Sequence, residues 1–198
     1  MRRFVIIGHR APTTPDFTLN DLAGSSGRLD VLLRCVTQSF YLSNNFRRDV
    51  EMFLVLLGGD DPPRTLRFSG SELRYLNPDE RSTGALVRNA LIQCRGKDED
   101  TPATPGITAL RWDLDTTLRS MPGGSLVWLH EEGSPINCGN MPPEPTFILS
   151  DDREFSDEDI KVIRSFEPLK ISLGKTSYLS SQCITLAHWM MDQEWNVD

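Results

Sequence analysis

Cysteine is scarce: Cys35, Cys94, Cys138 and Cys183 are the only four in 198 residues, with no CxxC and no Cys/His pair at metal-ligand spacing. That pattern speaks against a zinc site or any other metal centre and fits free thiols in a reducing cytoplasm, the expected location. Long apolar runs are missing as well, and nothing approaches the roughly 18 residues of a membrane span, so no membrane partner is expected. The N-terminal run from Phe4 to Ile7 is too short for a secretory leader and lacks a small-residue cleavage site, so it predicts a first β-strand. Histidines stand only at positions 9, 130 and 188, without a hydrolase spacing, and no serine sits in a GxSxG elbow. No GxGxxG follows an apolar run, and the tempting LGKT at 173–176 is preceded by Leu169 where a phosphate loop requires glycine.

Lysine is absent from the first half, and this absence leads to what is present. Residues 1–95 carry thirteen basic side chains, all arginine, against ten acidic ones; residues 96–198 carry eight basic and eighteen acidic, giving the net −7. Arginine is the cation suited to bidentate phosphate contacts and to stacking on bases. With a pI near 5.0 the whole chain lacks the basic footprint of a typical nucleic-acid binder, so any such surface must be local and lie in the first half. Length and an apolar content of 38% predict one globular domain over 1–198.

Apolar runs at 3–8 (RFVIIG) and 51–57 (EMFLVLL) read as strands, the second stopped by Gly58-Gly59-Asp60-Asp61-Pro62-Pro63. Between them, Leu29, Leu33, Val36 and Phe40 recur at helical spacing after a Gly-Ser-Ser-Gly opening. Residues 64–68 and 72–76 flank Ser69-Gly70-Ser71 and predict a β-hairpin extension over about 64–76. Asn77 or Asp79 caps a helix carrying Leu86, Leu91 and Ile92, residues 97–106 form a polar loop, and 107–119 predicts another helix. Three unalternated runs follow, 125–131, 146–151 and 169–174, each ending in a turn-prone loop. They predict strands buried on both faces, and the segment 156–164 between the last two predicts an acidic helix with a capping box at Ser156 and Asp159. A helix over about 177–193 closes the chain. Alternating strands and helices imply an α/β fold with a mostly parallel sheet and helices on both faces. Such sheets bind ligands outside the C-terminal ends of their strands. Asp60 and Asp61 read either as an acid/base pair or as turn residues, and Cys183 either as a ligand contact or as a small buried thiol.

The pattern FILSD at 147–151, ISLGKT at 171–176 and LSSQC at 179–183, running into an apolar helix, resembles the SPOUT class of S-adenosylmethionine-dependent RNA methyltransferases. The runs RFVIIGHRAPTTPDFTLNDLAGSSGRLDVLLRC and SGSELRYLNPDERS narrow the likeness to the archaeal tRNA pseudouridine-N1 methyltransferase family, whose members modify pseudouridine 54 in the T loop. The resemblance implies a C-terminal trefoil knot over about 125–191, a homodimer, tRNA as partner and S-adenosylmethionine as cofactor. It implies a cofactor pocket of Leu129, Ser150, Ile171, Leu173, Gly174, Leu179 and Cys183, with Cys183 lining the pocket rather than attacking. Catalysis falls to Asp60, Asp61 and Asp79 as proton acceptors and to Arg81, or another arginine near it, as the group holding a phosphate. One departure stands out: Ser150-Asp151-Asp152 replaces the Gly-Asp-His of the family pattern. An N1-methyltransferase of ribosomal-RNA pseudouridine, or a non-catalytic RNA-binding protein of the same fold, remains an alternative on the sequence.

Overall fold

The computed structural model describes residues 1–136 and 141–193; Cys138 lies outside them. Its frame is an eight-stranded sheet in the order β4-β5-β3-β2-β1-β7-β6-β8. The strands are β1 Arg2–Pro12, β2 Val50–Gly58, β3 Arg64–Ser69, β4 Thr101–Pro102, β5 Ile107–Leu110, β6 Leu126–Pro135, β7 Thr146–Ser150 and β8 Leu169–Ser172. β1 runs parallel to β2 and β7, and β6 parallel to β7 and β8, while β3 and β4 run against their neighbours.

The central place of β1 explains its sequence. Successive side chains of a strand point to opposite faces, and here Phe4 and Ile6 enter one core while Val5 and Ile7 enter the other. Helices α1 (Leu29–Phe40), α2 (Glu80–Gln93) and α5 (Ser180–Asp192) cover the first face. Helices α3 (Leu114–Arg119) and α4 (Asp157–Ser165) cover the second. The chain is thus a three-layer α/β/α structure with a mostly parallel sheet, as its alternation of elements predicts. The capping box of α4 is present: Ser156 Oγ accepts the Asp159 N–H at 3.1 Å and Asp159 accepts the Ser156 N–H at 2.8 Å.

Two expectations fail. The hairpin over 64–76 does not form, because both sides of β3 are already taken by β2 and β5. Residues 72–76 are instead an irregular loop anchored by buried Leu73 and Leu76, with Gly106 packed so closely on Leu73 that a Cβ there would stand 2.4 Å from its Cα. The predicted helix over 107–119 splits: Ile107–Leu110 is β5, and only after Asp113, whose carboxylate accepts the Thr116 N–H at 2.8 Å, does α3 begin. Pairing to the free edge of β3 outweighs local helical spacing there.

Candidate active site

Five parallel strands run towards one edge of the sheet, and register sets residues of their C-terminal parts side by side. Ile7 of β1 lies opposite Ser150 of β7 and Val55 of β2, and Leu129 of β6 lies opposite Ile171 of β8. Leu129, Ser150, Ile171, Leu173 and Gly174 therefore gather on this edge. Ser180 Oγ donates to the Ser150 carbonyl at 2.5 Å, which draws the start of α5, with Leu179 and Cys183, towards them. The side chain of Ile171 is buried in the core, so its part in any pocket is limited to its main chain. Leu129 and Leu173 are half-buried, and Leu179 is exposed.

Ser150 Oγ is buried with no partner among the described residues, which leaves a donor and an acceptor for a ligand to satisfy. Gly174 holds φ at 105°, a value disfavoured for other residues, and a Cβ there would meet nothing within 4 Å. Its backbone is accordingly open to approach. A hydroxyl, open main chain, aliphatic walls and no buried cation suit an adenosine-bearing ligand without phosphate. Burial pushes the half-buried Cys183 thiol up to about 11 and the fully buried Cys35 thiol up to about 12. A protonated thiol is not the reactive form, so Cys183 is suited to lining a pocket.

The corner after β7 is pinned by a residue that the sequence did not single out. The His9 N–H donates to Asp151 at 2.8 Å, and the His9 ring nitrogens lie 3.0 Å from Asp151 and 2.9 Å from Asp159. Burial opposes the charged imidazole, but the bonds to Asp159 and Asp151 outweigh it and raise the His9 pKa. Asp152, where the sequence departs from the family pattern, binds Arg10 at 2.8 Å. Nothing in the spacing of 9, 151 and 159 announces this clip; only the adjacency of β1 and β7 creates it.

Asp60 and Asp61 lie on the same edge, in the turn from β2 to β3. Asp61 is committed to structure: its N–H donates to Thr13 Oγ1 at 3.3 Å, and its carboxylate accepts from Arg111 and from Arg64 at 3.0 Å. The bond from Arg111 leads in holding it below the usual carboxylate range. Arg64 is only 1% exposed, and its Nε and Nη1 have no partner among the described residues. Asp60 is exposed and has no hydrogen bond or ion pair among the described residues. Asp79 and Arg81 do not join this turn within the chain. Asp79 caps α2 by accepting the Ser82 N–H at 2.8 Å, whereas Arg64 and Asp61 act electrostatically on Cys94 at the helix's other end. The 14 residues between these ends span about 21 Å. Two open hollows, about 300 Å³ beside Met1, Asp49 and Met190 and about 360 Å³ beside Met121, Leu126 and Phe166, touch none of the gathered residues.

Known proteins bear on this arrangement. Residues 1–195 match the family model described as "Putative SAM-dependent RNA methyltransferase". A Methanocella arvoryzae protein named tRNA (pseudouridine(54)-N(1))-methyltransferase is 43% identical over 98% of this chain and all of its own length. The Haloferax volcanii protein of the same name is 45% identical over 97% of this chain and 96% of its own. In three dimensions, the crystal structure of Archaeoglobus fulgidus Nep1 bound to S-adenosylhomocysteine superposes with a TM-score of 0.69 at 15% identity, covering 96% of each chain, and so shares the fold. With sequence agreement running nearly end to end, this chain belongs to that family of SAM-dependent RNA methyltransferases.

Proposed function

We propose that this protein methylates N1 of pseudouridine 54 in the T loop of tRNA. The observation that carries the reading is identity above 40% across the full length of relatives bearing that activity in their names. When bound, S-adenosylmethionine supplies an electrophilic methyl carbon, and the N1–C bond forms as the carbon–sulfur bond breaks and N1 gives up its proton. Leu129 and Leu173 wall the adenosine, Ser150 Oγ and the open main chain at Gly174 hydrogen-bond it, and Cys183 closes one side. Ile171 offers main-chain groups, and Leu179 guards the start of α5.

Asp60 accepts the N1 proton. Of Asp60 and Asp61 in the turn after β2, it is the one without a partner among the described residues, whereas Asp61, held ionised between two guanidinium groups, fixes the turn that presents it. A carboxylate within reach of the leaving proton contributes typically about 10²–10⁴-fold. Positioning of donor and acceptor supplies the other large share. A base splayed from a single-stranded loop can reach this open edge, which a paired base cannot.

We further infer that the C-terminal half is knotted and that the protein is a homodimer. The reading is supported by the crossed order β7-β6-β8 and by the register shift with which β6 pairs with β8, through Leu129 opposite Ile171 and again through Ser134 opposite Ile171 and Pro135 opposite Ser172. Self-association is supported by Leu179 at the start of α5 and Trp189 on it, 63% and 59% exposed. The deciding experiment is transfer of isotope-labelled methyl to pseudouridylated tRNA, followed by mapping of the labelled nucleotide. Label at position 54, lost from an Asp60→Asn variant that still binds the cofactor, is the expected result. Label only in ribosomal RNA, or RNA binding without label, would overturn the reading.

A further inference from the structure

Of the thirteen arginines before residue 96, eight have a carboxylate partner at 3.0 Å or closer: Arg2, Arg3, Arg10, Arg28, Arg34, Arg47, Arg64 and Arg67. A ninth, Arg48, donates to the Gly70 and Leu73 carbonyls and stacks on Phe46. Four remain. The side chains of Arg74, Arg81 and Arg88 have no hydrogen-bond or ion-pair partner among the described residues. Arg95 has only a loose 3.7 Å approach to Asp16, both side chains being more than 60% exposed.

These four stand at intervals of seven residues. Seven residues are nearly two helical turns, so Arg81, Arg88 and Arg95 fall on one side of α2 and its C-terminal end, about 10.5 Å apart. Exposed Ala85 and Ile92 lie between them on the same side. Glu80, the acidic residue of the helix, faces away to Arg34 at 3.0 Å, and Asp79 is engaged as the cap. Arg74 precedes the helix in the loop beside Tyr75, which is 70% exposed and held at a φ of 63°, a strained conformation for a side chain of that size. An exposed ring on a fixed backbone, next to an unpaired guanidinium, is a stacking platform. Among the arginines before residue 96, the first eight are thus neutralised by carboxylates and Arg48 is held by carbonyls, whereas the side chains of these four make a stripe with no close ion pair among the described residues. That stripe runs from the Tyr75 loop towards the end of α2 beside the Asp60–Asp61 turn.

We propose that Arg74, Arg81, Arg88 and Arg95, with Tyr75, form a docking track for the RNA backbone outside the loop being methylated. The proposal rests on the function inferred above and deepens it. The complementary ligand is a run of phosphates, which arginine engages bidentately and every RNA presents irrespective of sequence. Arg81 thereby moves from chemistry to docking: it sets how tightly RNA is held, not how fast the methyl group moves.

The test compares the full-length protein with an Arg74→Gln/Arg81→Gln/Arg88→Gln variant, reading affinity for full-length tRNA by fluorescence anisotropy across a salt series. Each lost phosphate contact lowers the slope of log affinity against log salt by ~0.7–0.9, so the variant's slope should be shallower by about 2–3. KM for tRNA should rise about 10-fold or more, while kcat at saturating tRNA and calorimetric affinity for S-adenosylmethionine stay unchanged. The single substitutions, each expected to remove ~0.7–0.9 from the slope, test the track even if the triple variant fails to fold. Unchanged slope and KM would overturn the proposal. So would an equal loss on neutralising Lys161 and Arg164 of α4, since net charge rather than the track would then be responsible. The binding measurement needs no turnover, so a protein found inactive on pseudouridine would refute the proposed reaction while leaving the track separately tested.

Discussion

His9 and His188 respond to pH in opposite directions, and each direction follows from what the ring touches. His188 is 3% exposed on α5, set edge-on against Phe4 and bonded to the Ser39 carbonyl at 3.1 Å; burial first, and Arg47 and Arg2 after it, push its pKa down to about 3. The unfolded chain takes up this proton near 6.5 and the folded chain refuses it. Stability is therefore whole above 6.5 and falls, by up to ~1.4 kcal/mol per pH unit, as pH drops below it. A His188→Gln variant should lack that acid-side decline in Tm between pH 7 and 5; parallel curves would mean that the buried ring is charged. His9 works the other way. Its pKa is raised, so its contribution is complete below 6.5 and fades as pH rises through the folded value. The Tm deficit of His9→Gln should accordingly be larger at pH 6 than at pH 9. Removing the Asp61 charge leaves Arg64 buried without a counter-ion. Asp61→Asn should cost on the order of 2 kcal/mol, or about 4–8 °C in Tm by thermal denaturation.

At the scale of elements, helix ends were the most legible feature. Ser156 with Asp159, and Asp79 ahead of α2, announce themselves because capping depends on residues within one turn of each other. Replacing Asp79 by Ala should cost about 0.5–2 kcal/mol in thermal denaturation and leave kcat at saturating RNA intact. A collapse of kcat would return Asp79 to the chemistry from which its capping bond removes it. The hairpin over 64–76 and the helix over 107–119 were misread for a common reason: both stretches compete for the same edge of β3. Local spacing carries no record that Ile107–Leu110 wins that edge and leaves 72–76 as a loop. Gly133 also acts at this scale, since a Cβ there would stand 2.5 Å from the Ile171 carbonyl carbon, where β6 passes β8. Gly133→Ala should therefore weaken cofactor affinity in calorimetry along with lowering Tm.

For the whole molecule, the outer side of α5 is where the proposed dimer contact is tested. Leu179, just before α5, and Trp189 on it are exposed, while Ile184, Ala187, His188 and Met190 of the helix are buried. Trp189→Glu should shift the species seen by light scattering from dimer towards monomer; an unchanged mass would place the interface elsewhere.

Sequence alone determined the layer architecture, because burial on both faces of a parallel sheet writes itself as unalternated runs such as Val5–Ile7 and Phe147–Leu149, and its motif resemblance determined the family. Leu129, Ser150 and Gly174, pocket residues that the family resemblance implies, fall in the last part of such runs. Tertiary structure decided what depends on partners distant in the chain. It paired His9 with Asp151 and Asp159, separated Asp61 from Asp60 by binding it to Arg64 and Arg111, and placed Asp79 and Arg81 at the far end of α2. It also sorted thirteen similar arginines into eight held by carboxylates, one held by carbonyls and four without a close side-chain partner among the described residues. Charge neutralisation acts through space over a few ångströms, and such proximity across the fold is not encoded in local residue order.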